Sequence, residues 1–79
     1  MPKTIKDAIY IVMNTEPYKN WGIHEIMMTT ENMNIRKVSN QDYWIQAIAK
    51  EVKDMKINKI EVDGVKNMYM GHEFSLVHD

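Results

Sequence analysis

Ile60-Glu61-Val62-Asp63-Gly64-Val65-Lys66-Asn67-Met68-Tyr69-Met70 is the stretch whose reading decides the fold. Ile60-Glu61-Val62 alternates apolar and polar residues, the period of a half-buried strand. Asp63-Gly64 is a strong hairpin-turn pair, because glycine reaches positive φ without a steric penalty. Met68-Tyr69-Met70 is the expected return strand, with Val65-Lys66-Asn67 in the loop or on its flank. Residues 71–79 read as a short tail that holds Phe74 or Leu76 against the body. Without this hairpin the chain would be a plain three-helix bundle with a frayed end. With it, the class is α+β.

Everything before the hairpin reads as helix. The clearest pattern spans residues 40–55. Ile45, Ile48, Ala49, Val52 and Met55 fall on one face, and Tyr43, Gln46, Ala47, Lys50, Lys53 and Asp54 on the other. Ser39-Asn40-Gln41-Asp42 offers a Ser-x-x-Asp cap at its start. Residues 36–40 form a polar loop. A second helix over residues 23–32 shows a stripe of Ile23, Ile26 and Met27, with Met33 and Ile35 covering its end. Thr29-Thr30 lowers its propensity. Residues 18–22 are a connector with a very short strand at Trp21. The first helix covers residues 4–14, with Thr4 and Asp7 as a variant capping box and Ile5, Ala8, Ile9, Val12 and Met13 as its apolar face. Pro17 stops it by removing a backbone donor and biasing Glu16 away from the helical region. Three helices followed by a β-hairpin is the order of a winged helix, in which the third helix stands at the recognition position and the hairpin is the wing.

The segments Thr4-Ile5-Lys6-Asp7-Ala8-Ile9, Gly22-Ile23-His24-Glu25-Ile26 and the hairpin stretch through Tyr69 and Met70 resemble the winged-helix module called HARE. That helix-turn-helix module is similar to the amino-terminal domain of the delta subunit of bacterial RNA polymerase. The likeness runs from about Thr4 to Met70. It implies a winged-helix fold and a role connected with transcription.

Length and composition bound the rest. A chain of 79 residues reads as a single domain over 1–79, with the tail starting at about 71. Such a domain buries a small core and leaves little room for an enclosed catalytic cavity. The absence of cysteine excludes disulfides and thiolate metal sites. His24-Glu25 does not open an H-E-x-x-H pair, because Met28 stands where the second histidine belongs. His72 and His78 lie far from it in sequence. The three glycines are dispersed, so neither a phosphate-cradling loop nor a nucleophile elbow is present. The chain therefore reads as a non-enzyme with no cofactor and no metal. The first residues lack the apolar core of a signal peptide, and no run approaches membrane-spanning length. A cytoplasmic protein without a membrane partner is expected.

The candidate contacts lie on the third helix and beside it. Asn40, Gln41, Tyr43, Gln46 and Lys50 are residue types that reach base edges or phosphates from a helix in the major groove. Arg36, Lys37, Lys50 and Lys53 suit phosphates, and Lys66 and Asn67 occupy the wing. A plain solvated helix face would also look polar. Asp42, Glu51 and Asp54 dilute the positive field, and ten Lys and Arg against eleven Asp and Glu give a formal charge of -1. Trp44, beside the apolar stripe of the third helix, reads as partly buried, and Trp21 as packed over the first two helices. The alternative is an exposed apolar patch of Tyr18, Trp21 and Tyr43 with Met28 and Met33, which argues for a protein partner or a homodimer. The expected function is a small winged-helix protein that binds double-stranded DNA, a transcription-related regulator. The alternative is a protein-interaction module docking on RNA polymerase or another nucleic-acid enzyme.

Overall fold

The computed structural model describes residues 4–62 and 71–78. Helix α1 spans Ile5–Thr15, α2 spans Ile23–Asn32 and α3 spans Gln41–Asp54; strands β1 (Ile57–Glu61) and β2 (His72–Leu76) follow. The two strands pair antiparallel, with Lys59 opposite Phe74 and Glu61 opposite His72. This is the α+β layout of a winged helix, three helices and then a β-hairpin.

Local chemistry sets the helix ends. Thr4 caps α1, its Oγ1 accepting the Asp7 N–H at 3.1 Å. Helix α2 begins at Gly22 without a side-chain cap. It ends in a Schellman motif. Asn34 adopts φ 55°, its N–H donates to the Glu31 carbonyl, and the Ile35 N–H donates to the Thr30 carbonyl. Asparagine tolerates that left-handed backbone better than most residues. Ile35 then packs against the core, whereas Met33 is exposed rather than covering the helix end. The cap of α3 is Asn40 and not Ser39: Asn40 Oδ1 accepts the Tyr43 N–H at 3.0 Å.

The core collects the buried faces of all three helices around Phe74. Ile9, Val12 and Met13 of α1 meet Ile26 and Met27 of α2 and Trp44, Ile48 and Val52 of α3. Ile48, Ala49, Val52 and Met55 are buried as their spacing predicts; Ile45 is only partly buried, and Trp44 beside it lies within the core. Val38 is buried too and anchors the loop before α3.

The described return strand lies in the segment whose sequence reads as a tail. Met68, Tyr69 and Met70 lie outside the described residues, and the segment read as a tail is β2. The physical reason is Phe74. It is wholly buried, and its backbone exchanges both hydrogen bonds with Trp21, each at 2.7 Å. Burying a side chain of this kind is worth about 1.5–3 kcal/mol. No pairing that left Phe74 in solvent would recover that. The very short strand at Trp21 is thus present as a β-bridge to Phe74. β2 lies between Trp21 and β1. His72 and Glu73 are half-buried within β2. Beyond it, the His78 ring stacks on Tyr18 at 4.4 Å and its Nε2 lies 2.7 Å from the Pro17 carbonyl oxygen. No helix among the described residues is long and apolar enough to cross a membrane.

Candidate nucleic-acid interface

The buried stripe of α3 dictates what its opposite stripe does. With Trp44, Ile48, Ala49 and Val52 turned into the core, Tyr43, Gln46, Lys50 and Lys53 project outward. Their spacing of three and four residues stacks them one turn above another. These four line one open cleft together with Ala47 and Glu51 of the same helix and Ile5 of α1. The structure therefore brings four of the sequence-derived candidates onto one surface.

The polarity of that surface is mixed. Lys50 and Lys53 are exposed, and among the described residues neither is paired with a carboxylate. Glu51 borders the same cleft, and Asp42 and Asp54 stand exposed at the two ends of α3. Asp42 in the first turn and Lys53 in the last both complement the helix dipole. Tyr43 is 60 % exposed, so its ring is an apolar platform in an otherwise polar stripe.

The remaining candidates separate into three groups. Gln41 is exposed at the first turn of α3, in line with an outward contact. Asn40 is also exposed, but its Oδ1 is engaged in the helix cap. That bond uses the acceptor half of the donor–acceptor pair that adenine recognition needs. Arg36 and Lys37 are exposed on the preceding loop. The Arg36 guanidinium lies over the Trp44 ring, 5.6 Å from its centroid. A cation–π contact of this kind is worth roughly 0.5–1 kcal/mol at an exposed site and keeps the charge beside the start of α3. Lys66 and Asn67 lie outside the described residues.

Trp21 packs into the body as expected, and the alternative of an exposed aromatic patch does not form as a unit. Trp21 is 2 % exposed, because the bridge to Phe74 draws it into the core. Tyr18 stacks on His78 instead, and Met28 is half-buried against the core. Sequence reading missed Ile5 as a wall of the cleft, since its place on the α1 stripe marks it for the core. It is in fact only partly buried there. Compared with known protein families, curated proteins and solved structures, the chain matches none of them.

Proposed function

We propose that this chain is a small DNA-binding winged-helix protein, a transcription-related regulator that meets duplex DNA through the outer face of α3. The observation that carries this reading is the outward stripe of Tyr43, Gln46, Lys50 and Lys53 on the third helix of the fold. In winged helices that helix is the one placed in the major groove. Gln46 suits an adenine edge, and Lys50 and Lys53 suit phosphates. Arg36 and Lys37 extend the positive charge toward the start of the helix. The resemblance to the HARE module and the delta-subunit domain agrees with this role. Titration of the protein into labelled mixed-sequence duplex at low salt tests it. Saturable binding is expected, weakened by Lys50→Ala and Gln46→Ala. No binding at low salt would overturn it.

A second reading has its own observation. Glu51, Asp42 and Asp54 interleave with the lysines of α3, and Tyr43, Ala47 and Ile5 give the cleft an apolar half. That mixture suits docking on a protein such as RNA polymerase or another nucleic-acid enzyme. Under this reading Tyr43→Ala abolishes binding to purified polymerase, and Lys50→Ala leaves it within about twofold, a difference of roughly 0.4 kcal/mol.

A further inference from the structure

The hydrogen bonds of the small sheet fix which way each residue of β1 points its backbone. Phe74 exchanges both of its backbone bonds with Trp21, so Phe74 and its alternate neighbours in β2 face away from β1. Glu73 and Ser75 therefore bond to β1, through their partners Ile60 and Asn58. The bond from the Val62 N–H to the Gly71 carbonyl oxygen continues the same phase. It follows that the backbone groups of Lys59 and Glu61 point outward from the sheet. Among the described residues no strand pairs with that edge.

An open edge of this kind is a template for another strand, and charged side chains ordinarily guard it. Here the two guards have opposite signs. Lys59 and Glu61 are both exposed, and they lie on the same face of the strand. Two copies of β1 can be set antiparallel about a two-fold axis in only a few registers. Placing Lys59 opposite Lys59, or Glu61 opposite Glu61, sets like charges against each other. Placing Ile60 on the axis sets Lys59 of each copy opposite Glu61 of the other. In that register Lys59 and Glu61 are also the residues whose backbone groups face outward, so each pair exchanges both bonds. Ile60, 39 % exposed, meets its own counterpart on the axis, and Asn58 of each copy stands opposite Val62 of the other.

We propose that β1 is a self-association edge, its occupant a second copy of this chain paired in the register Lys59 to Glu61. The arrangement is isologous and closed, so it ends at a dimer. The Lys59 ammonium already donates to the Met55 carbonyl oxygen at 3.1 Å, and its remaining donors serve the partner carboxylate. A five-residue strand pair buries well under the roughly 1,200 Å² of a stable interface, so the dimer is weak and reversible. The proposal does not depend on DNA binding, and its test contains no nucleic acid.

Sedimentation of the full chain over a concentration series up to about 1 mM reads the dimer directly, since only an association with Kd above roughly 1 mM, weaker than about 4 kcal/mol, escapes it. Reversible self-association is expected. Lys59→Glu alone and Glu61→Lys alone each weaken it about tenfold, because both symmetric pairs become repulsive. An equimolar mixture of the two variants restores a dimer at least as tight as the original, since every pair is again of opposite sign. Both positions are exposed, and circular dichroism verifies that each variant keeps its fold. A chain that stays monomeric at about 1 mM, or a dimer that neither variant weakens, would overturn the proposal.

Discussion

At the scale of single residues, Phe74 carries the heaviest duty. It is wholly buried in the core and bonds Trp21 on one side while its strand pairs β1 on the other. Phe74→Ala should cost about 3–5 kcal/mol, from lost transfer energy and the cavity left behind. In a domain of this size that is most of the stability, so urea unfolding should show a transition shifted to very low denaturant. Asn40 has a smaller and more specific role. Asn40→Ala should cost about 1 kcal/mol through loss of the cap, and Asn40→Ser should restore it. If its part is the cap, duplex affinity of the Asn40→Ser variant stays within about twofold of the parent, a change of roughly 0.4 kcal/mol. Lys19 supplies a pH signature. Its ammonium bonds the Glu25 carboxylate at 2.7 Å, with Glu16 at 3.6 Å, and this raises its pKa above the ordinary 10.5. A raised pKa means a contribution present in full below the unfolded value and lost as pH rises through the folded one. Lys19→Gln should therefore lower Tm slightly at neutral pH, and the difference from the parent should shrink above pH 10.5.

At the scale of elements, legibility followed length and local signals. Helix α3 was readable because its 14 residues repeat the apolar spacing over several turns. Of its expected stripe, Ile48, Ala49, Val52 and Met55 are buried; Ile45 is only partly so, and Trp44 is more deeply buried than the partial burial expected of it. Helix α2 was bounded correctly at both ends, although Asn34 as its terminator went unread. The hairpin was legible as a hairpin; Met68 to Met70, expected as its return strand, lie outside the described residues, and β2 runs through residues read as a tail. The Asp63-Gly64 pair favoured a tight turn and an early return. The alternation Glu73-Phe74-Ser75-Leu76 was the competing signal, with polar and apolar residues in strict turn. Only the distant partner Trp21 decides in its favour, and such non-local pairing is invisible to a reading of periods. Deleting residues 72–79 tests the assignment. If they formed only a tail, unfolding would remain cooperative and Tm would barely move. As β2, their loss should uncover Trp21 and Ile57 and abolish the cooperative transition seen by circular dichroism.

At the scale of the whole molecule, the fold turns one helix face into the candidate surface. The core takes one stripe of α3, and Tyr43, Gln46, Lys50 and Lys53 are what remains. That much of the site was readable, because a helix that buries one face must expose the other. The pairing of Arg36 with Trp44, the capping duty of Asn40 and the wall formed by Ile5 depend on tertiary contacts. A net charge of -1 means that any DNA affinity comes from local placement, not from the global field. With Arg36, Lys37, Lys50 and Lys53 as phosphate partners, log affinity should fall against log salt with a slope of about 3 to 4. Lys50→Ala should reduce that slope by about 1. The most direct measurement is a backbone-amide NMR titration with mixed-sequence duplex at low salt. The winged-helix account predicts that the largest shift changes fall on Tyr43, Gln46, Lys50 and Lys53 and extend to Arg36 and Lys37. Shift changes that avoid the outer face of α3 altogether, or no changes at all, would contradict it.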